Sequence, residues 1–556
     1  MNELHILDYV VVIGYLAISL GLGFAFRKQT SRDEFFTAGR SMGRITVGLS
    51  VMATLFSANS FVMYPSVVYG YSLRIFMAMV AFWSMAPLVV WVFIPVYSKL
   101  RCATAYEYLE HRFDVSVRCL ASALFVVLRI SWMAAATFAA SLAISAISGL
   151  NQYAVIVGLG TIAIAYTMLG GLRAVMWTDV LQFFVFFGTI LFAALLLISR
   201  SEGGVSGMVE TYFADRDNLV FDFTLDPTFK YATLAILMGS FLEGLSAFGA
   251  DQVAVQRYIA AKSMRTSQTG FLINLLGVMV VVPGLMVIGV GLFSHFHHHP
   301  DSLGTVLVDK LESVESSGMM DKKAAEIRKR VFGDQPKIST DIAKAYYQDK
   351  AAELHSDMVA LNLNDQALPH FVRTQFPIGM VGLLVAALMA ATMSSIDSGV
   401  HSVTTALVVD FRDRLVPKWK PASEKGEMLA ARLSVVMIGV ISIALACFVG
   451  QLGDVFTVAK KCVGAFAAPL LAVFILGLFI PRATSFGVLC GTFLGAVFTL
   501  TMMYVFDDWF PLWFFPIGCF GSIGIALVLS AFPIGKRNAE PLTFWRIKSM
   551  DVDNDA

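Results

Sequence analysis

The sequence predicts an all-α integral membrane protein with about 13 membrane-spanning helices. Hydrophobic residues make up 57% of its 556 positions and charged residues only 15%, whereas soluble domains carry about 25% charged residues. Apolar runs long enough to cross a bilayer recur along the whole chain. The net charge of +1 argues against nucleic-acid binding, and because no catalytic motif stands out, we do not expect an enzyme.

The predicted spans follow one another with short polar connections and two longer ones. The apolar runs cover about residues 8–26, 46–70, 74–97, 120–149, 152–170, 178–199, 230–254, 268–293, 377–409, 432–450, 453–480, 485–506 and 512–533. The longer polar segments are 200–229 and 294–376. No Lys or Arg precedes the first run, which is also too long for a signal peptide, so we expect a retained helix.

Basic residues predict the orientation of the spans. Lys and Arg cluster after the first, third, seventh, ninth and last runs, which all fall on one side. The positive-inside rule makes that side the cytoplasm. We therefore expect a multi-pass protein of the plasma (inner) membrane, with an extracytoplasmic N-terminus and a cytoplasmic C-terminus.

One apolar run ends in a cluster of oxygen-bearing side chains. Ser394, Ser395, Asp397 and Ser398 lie in the run 377–409. Polar groups are costly in hydrocarbon, so these should face a protein interior or a cavity. Their oxygens suit a hard cation, but small and hydroxyl residues also line packed membrane helices. An ion site and helix packing both remain open.

Helix breakers mark two further runs. Asn59, Ser60 and Pro65 interrupt 46–70. Such a break is either an ordinary kink or a discontinuous helix that exposes backbone carbonyls to an ion. The glycines of 485–506 repeat every four residues, at Gly487, Gly491 and Gly495, which predicts close packing against a neighbouring helix.

Three segments together resemble one family. They are GGLRAVMWTDVLQ at 170–182, DQVAVQRYIAAK at 251–262, and DQALP at 365–369 followed by Gly382 and SSIDS at 394–398. In their order and spacing the chain resembles the sodium/solute symporters, which include carriers of glucose, proline, sialic acid, iodide and monocarboxylates. The resemblance implies a secondary-active symporter in the lipid bilayer that imports a small solute with Na⁺ by alternating access. No obligate protein partner is expected.

The resemblance also implies an inverted repeat of five plus five helices. The first repeat would be 46–199, and the second 230–480 with the extracytoplasmic insertion 294–376. Residues 1–45 would form an extra helix and a cytoplasmic loop, 200–229 an extracytoplasmic loop, and 481–556 two further helices with a short cytoplasmic tail. A membrane sensor or receptor domain with a transporter-like fold, and a channel, are the alternatives of another class.

Two sodium sites follow from the resemblance. The main site would use the carbonyls of Ala53, Phe56 and Ala391 with the hydroxyls of Ser394 and Ser395. A possible second site would use Asp179 with Ser394, Asp397 and Ser398. The alternative for Asp179 is a helix cap beside Trp177 and Thr178, since a carboxylate is favourable at a helix N-terminus.

The substrate cavity is expected between the same helices. Met133 and Ile273 stand where sugar carriers have long polar side chains, and the segment PSVVY at 65–69 looks more like the iodide, vitamin and monocarboxylate branch. With Arg129, Lys460 and Lys461 as buried cations, this favours a small organic anion. The alternatives are that Asp251 pairs with one of the lysines, that Arg129 reaches the cytoplasmic surface, and that the solute is a neutral sugar or amino acid. The full predicted cavity set is Ser57, Asn59, Ser60, Arg129, Trp132, Met133, Asp251, Gln252 and Lys461.

Overall fold

A computed structural model confirms the all-α class. It describes residues 5–29, 31–214, 221–318, 320–333, 335, 337–452, 461–532, 534 and 540–550, without the side chains of Leu55, Asn59, Gln451 and Leu452. Within these ranges the chain forms helices and no strand, apart from one isolated parallel bridge between Met42 and Ala261. Nine of the described helices are long and apolar enough to cross a membrane, and ten if one bent pair counts as a span.

The helices that build the membrane part are numbered in chain order. They are α1 Ile6–Ala25, α2 Arg44–Leu55, α3 Ala58–Gly70, α4 Leu73–Leu100, α5 Val115–Ser148, α6 Gln152–Arg200, α7 Thr233–Gly249, α8 Gln252–Ile259, α9 Met264–His298, α10 Met380–Leu415, α11 Glu424–Phe448, α12 Val463–Phe479, α13 Ser485–Val505 and α14 Pro511–Ala531.

Two longer helices are broken in the middle, and each forms two half-helices: α2 and α3, and α7 and α8. Phe56 and Ser57 adopt extended dihedral angles, so α2 ends at Leu55 and α3 begins at Ala58. The break therefore precedes Pro65, which lies inside α3. Between α7 and α8 the chain bends by 45°, and the Asp251 side chain caps α8 by accepting a hydrogen bond from the Val253 amide at 2.8 Å.

The 49-residue helix α6 contains a third break, at Gly171. This residue has φ 52° and ψ −156°, a backbone conformation that only glycine adopts readily. A Cβ there would also lie within 2.9 Å of Phe35 and Gln29. Glycine is thus required both by the conformation and by the close approach of the segment before α2.

Helix α10, which carries the serine and aspartate cluster, lies at the centre of the molecule. Its most apolar stretch is 83% buried, against 22–50% in the other candidate spans among the described residues. It contacts α1, α5, α6 and α11. A helix with so many polar side chains can lie within the bilayer only where neighbouring helices hide it from lipid.

The glycine repeat of α13 packs against α14, as predicted. A Cβ on Gly491 would lie 2.5 Å from the Cα of Ala526, and one on Gly495 would lie 2.0 Å from the Ser522 hydroxyl oxygen. The two helices therefore touch through their backbones.

The predicted extracytoplasmic insertion is itself helical. Helix α9 continues to His298, and the insertion then forms the helices Gly304–Ser317, Lys322–Phe332, Thr340–Tyr347, Ala351–Ala360 and Ala367–Gln375. Buried Asp357 connects three of these helices, because it accepts hydrogen bonds from the Tyr347 hydroxyl and from Arg330.

Candidate functional site

The residues predicted for the main sodium site converge at the break between α2 and α3. The last carbonyls of a helix have no partner within that helix, and Ala53 is among the last four residues of α2. Its carbonyl lies 3.0 Å from the Ser394 hydroxyl of α10, which also lies 3.0 Å from the Ala391 carbonyl. Ser395 bonds only the Ala391 carbonyl, at 3.3 Å.

A small cavity lies beside these residues. Ala53, Phe56, Ala391 and Ser394 all line it. Its other lining residues are Met52, Gln182, Phe183 and Phe186. The Ser394 hydroxyl with the carbonyls of Ala53 and Ala391 supplies the hard oxygen ligands that suit a cation such as Na⁺.

Asp179 forms a fully buried ion pair and does not cap a helix. It lies well inside α6, eight residues after Gly171, and its Oδ2 is 2.9 Å from Nη2 of Arg257 on α8. Both side chains are 0% exposed. Ser50 of α2 donates a hydrogen bond to Asp179 and accepts one from Arg257 Nε at 2.8 Å. The cap interpretation is therefore wrong, since capping operates only in the first turn of a helix.

Asp397 is linked to that ion pair through Ser398. The Ser398 hydroxyl donates to Asp397 Oδ1 at 3.0 Å and accepts a hydrogen bond from Arg257 Nη2. On its other side Asp397 accepts a hydrogen bond from the Tyr166 hydroxyl at 2.5 Å. Ser394, which was also predicted for this second site, bonds instead at the main site.

The cluster of Asp179, Arg257 and Asp397 contains two carboxylates and one guanidinium. With both carboxylates ionised, its formal charge is −1. The Oδ1 atom of Asp179 is buried and has no hydrogen-bond partner in the described part of the chain. An uncompensated buried charge is strongly destabilising, so this cluster fits an added cation or a proton.

A central cavity of about 190 Å³ lies next to these groups. Five of the predicted substrate residues line it: Ser57, Ser60, Arg129, Trp132 and Asp251. The N-terminal end of α3 borders the cavity through the two serines, and α5 contributes Arg129 and Trp132.

The other predicted substrate residues do not line the cavity as the structure describes it. Met133 packs against Gly399, because successive helix residues point about 100° apart and Trp132 already faces the cavity. Gln252 accepts a hydrogen bond from the Ala105 amide at 2.7 Å. Lys461, where the described chain resumes two residues before α12, is not among the residues that line the cavity. Lys460 and the Asn59 side chain lie outside the described residues.

Arg129 is paired with Asp251, for which one alternative from the sequence was a lysine partner. Its Nε and Nη2 lie 2.8 and 2.5 Å from Asp251 Oδ2. The pairing holds the guanidinium in the protein interior, so the expectation that it reaches the cytoplasmic surface is wrong. The side chain is 16% exposed, and Nη1 makes no hydrogen bond to any described residue.

Sequence reasoning missed two charged residues. Glu243 of α7 lines the central cavity, and a lone carboxylate in an apolar span was the signal that could have identified it. Arg257 lies inside the segment 251–262 that carried the family resemblance, but its carboxylate partner only becomes evident when α6 and α8 are packed together.

Similar proteins share this architecture. A model of the sodium:solute symporter family matches residues 35–312 and 338–495. The sodium/sialic acid symporter SiaT of Proteus mirabilis is 27% identical over 531 residues, which are 95% of each chain. The sodium-coupled monocarboxylate transporter 1 of Mus musculus is 27% identical over 499 residues, or 89% of this chain and 72% of the relative. A solved structure of a substrate-bound, outward-open Na⁺-coupled sialic acid symporter matches 96% of this chain and all of its own, with a TM-score of 0.79 and 25% identity.

Proposed function

The chain belongs to the sodium:solute symporter family and moves a small solute across a membrane together with Na⁺, and we propose that this solute is a small organic anion. The guanidinium of Arg129 carries the proposal. Asp251 engages only Nε and Nη2, so Nη1 is left to bind a carboxylate in the cavity.

The broken helix α2–α3 supports an anionic substrate. The N-terminus of a helix carries a partial positive charge and free amide groups, and the start of α3 borders the cavity at Ser57 and Ser60. Discontinuous helices in transporters direct such ends at anionic substrate groups. The relatives named for sialic acid and for monocarboxylates carry solutes of this chemical class.

We assign one sodium ion to the oxygens of Ala53, Phe56, Ala391, Ser394 and Ser395. A second sodium ion is proposed at Asp179, Asp397 and Ser398, where it would offset the formal charge of −1. Arg257 then acts as the permanent partner of Asp179, and the ion is held mainly by the remaining carboxylate oxygens. Replacing Asp179 with Asn should lower the Hill slope for sodium or uncouple transport from it.

The topology proposed from the sequence comprises 13 spans and two inverted repeats, 46–199 and 230–480. The positions of the two helix breaks support this repeat assignment, because the broken helix α2–α3 begins the first proposed repeat and the broken helix α7–α8 begins the second. Inverted repeats place broken helices at corresponding positions on either side of a midplane site. The N-terminus is assigned to the outside and the C-terminus to the cytoplasm of the plasma (inner) membrane, and no catalytic activity is proposed.

A neutral solute is the second candidate. Arg129, Asp251 and Glu243 line the cavity, and their formal charges add to −1. If the Arg129–Asp251 pair serves only to hold α5 against the start of α8, then the cavity offers hydroxyls and aromatic rings to an uncharged ligand.

Uptake into proteoliposomes distinguishes the two candidates. Purified protein is given an inward sodium gradient and radiolabelled N-acetylneuraminate, lactate, nicotinate, glucose or proline, with potassium replacing sodium in the control. We expect sodium-dependent uptake of a carboxylate, with no net charge moved per monoanion if one sodium accompanies it and one positive charge if two do. Sodium-dependent uptake restricted to glucose or to zwitterionic proline would overturn the anion assignment, and uptake of no solute would favour a sensor.

A further inference from the structure

A second cavity, larger than the central one, lies where α3 ends and α4 begins. It has a volume of about 540 Å³. Tyr69 and Arg74 line it from these helices, Phe293 from the end of α9, and His355 from the insertion helix Ala351–Ala360. We call it the outer pocket, because the proposed topology places all of these ends on the extracytoplasmic side.

The lining of the outer pocket combines aromatic rings with cationic side chains. Its aromatic residues are Tyr69, Tyr71, Phe229, Tyr231, Phe293 and Phe296. Arg74 and Lys230 bring positive charge, and none of the described lining residues is Asp or Glu. Rings and apolar walls with a few charged groups are typical of small-molecule sites, and this combination fits a carboxylate on an aromatic or apolar body.

The two cations of the outer pocket differ in their partners. Arg74 lies 3.4 Å from Asp222 and stacks over the Phe229 ring at 5.3 Å. Lys230 Nζ lies 5.9 Å from the Tyr71 ring and forms no ion pair within the described part of the chain. Lys230 is exposed at the pocket, so its ammonium group is the cation best placed to meet an entering anion.

The outer pocket and the central cavity share a wall. Tyr231 lines both cavities. Its ring centroid lies 5.0 Å from that of Tyr71 in the outer pocket and 4.9 Å from that of Phe510 in the central cavity. Tyr231 also has φ +61°, a left-handed conformation that a tyrosine adopts rarely. The backbone thus places this ring between the two spaces.

We infer that the outer pocket is a separate binding site for organic carboxylates with a ring or an apolar body, from which they pass Tyr231 into the central cavity. The identity of the solute rests on the proposed function. Binding in the outer pocket needs no sodium, because Ala53 and Ser394 line a different cavity.

The test measures binding of benzoate to the purified full-length protein in potassium buffer without sodium, by isothermal titration or ligand-observed NMR. Benzamide is the neutral isostere, and acetate lacks the ring. We expect benzoate to bind about fivefold more tightly than benzamide, since one partly exposed charge contributes about that factor, and more tightly than acetate, which has no ring to bury. Lys230→Gln should remove the advantage over benzamide, and Lys230→Arg should keep it.

A lysine on the exposed surface of the insertion, Lys322, gives the matched control. Lys322→Gln removes the same charge from the same face and should leave benzoate binding unchanged. No benzoate binding in potassium, equal binding of benzamide, or no effect of Lys230→Gln would each overturn the inference. Failure of sodium-dependent carboxylate uptake with benzoate binding intact would instead remove the proposed function and leave the outer pocket standing.

Discussion

Removing the Ser394 hydroxyl should weaken sodium binding without unfolding the protein. In the structure this hydroxyl lies 3.0 Å from the carbonyls of both Ala53 and Ala391, so Ser394→Ala deletes the side-chain oxygen that connects α10 with the end of α2. A hydrogen-bonding group that meets a charge contributes about 1.5 to 3 kcal/mol. The half-saturating sodium concentration should therefore rise roughly 10- to 100-fold.

Two measurements report this change. Sodium titration of proteoliposome uptake gives the half-saturating concentration, and unfolding in sodium against potassium buffer gives the stabilisation by bound sodium. At a sodium concentration ten times the dissociation constant, the wild-type protein gains about 1.4 kcal/mol, and a tenfold weaker site gains about 0.4 kcal/mol. Without sodium, Ser394→Ala should lose only about 1 kcal/mol of the free energy of unfolding.

Thr392 provides the control on the same helix. Its hydroxyl donates to the Leu388 carbonyl of its own helix at 2.7 Å and does not line the small cavity among the described residues. Thr392→Val should leave both sodium measurements unchanged. If Ser394→Ala keeps the wild-type half-saturating concentration and the wild-type stabilisation by sodium, then the ion does not bind at this oxygen.

Three further predictions concern buried pairs and packing. Arg257→Gln removes the guanidinium beside Asp179 and Asp397 and should lower the free energy of unfolding by about 3–5 kcal/mol. The double variant Arg257→Gln with Asp179→Asn should recover most of that loss. If unfolding measurements show that the losses of the two single variants simply add in the double variant, then the two residues do not form a direct pair. Arg129→Gln should abolish carboxylate uptake and spare sodium binding measured without substrate, and recovery of uptake in Arg129→Gln with Asp251→Asn would show that the pair is structural only. In Gly491→Val the new Cβ would lie 2.5 Å from Ala526 and force α13 away from it, whereas a Cβ at Gly524 would meet nothing within 4 Å. Gly491→Val should therefore lower the free energy of unfolding by about 1–3 kcal/mol, and Gly524→Val should not. Equal melting temperatures of the two variants would refute the contact.

The sequence predicts this fold well wherever a local pattern determines the structure. Apolar runs mark the nine long apolar helices among the described residues, and the four-residue glycine repeat of α13 predicts its contact with α14. The break in the first discontinuous helix is harder to place, because the breakers Asn59 and Pro65 lie after it, Phe56 is no helix breaker, and Ser57, although a favourable N-cap residue, is one of several serines in this segment. Tertiary contacts at the α2 terminus determine that position.

The sequence predicts those site residues that lie at positions matched by the family resemblance. Ala53, Phe56, Ala391 and Ser394 line one cavity because the helices that bear them pack as the resemblance implies. Met133 and Gln252 were misplaced, since each neighbours a cavity residue and only the rotation of its helix decides which of the two faces inward.

Charge pairing is the least predictable property of this site. Lone charges in apolar spans signal that partners exist, but not which ones. The partner of Asp251 proved to be Arg129 and that of Asp179 proved to be Arg257, across separations of 122 and 78 residues. Local sequence patterns identify neither of these two pairs.

The parallel bridge between Met42 and Ala261, on the side proposed to be cytoplasmic, joins the half-helices α2 and α8. The Met42 amide donates to the Ala260 carbonyl at 3.0 Å, and the Lys262 amide donates to the Met42 carbonyl at 3.1 Å, which fastens the segment before α2 to the end of α8. If the proposed sodium ion binds between Ala53 and Ser394, any movement of α2 that it causes is passed to α8 through these two hydrogen bonds. The other end of α8 is capped by Asp251, the partner of Arg129. The two-turn helix α8 therefore connects the proposed sodium site with the proposed solute site, and we expect occupancy of one to alter the geometry of the other.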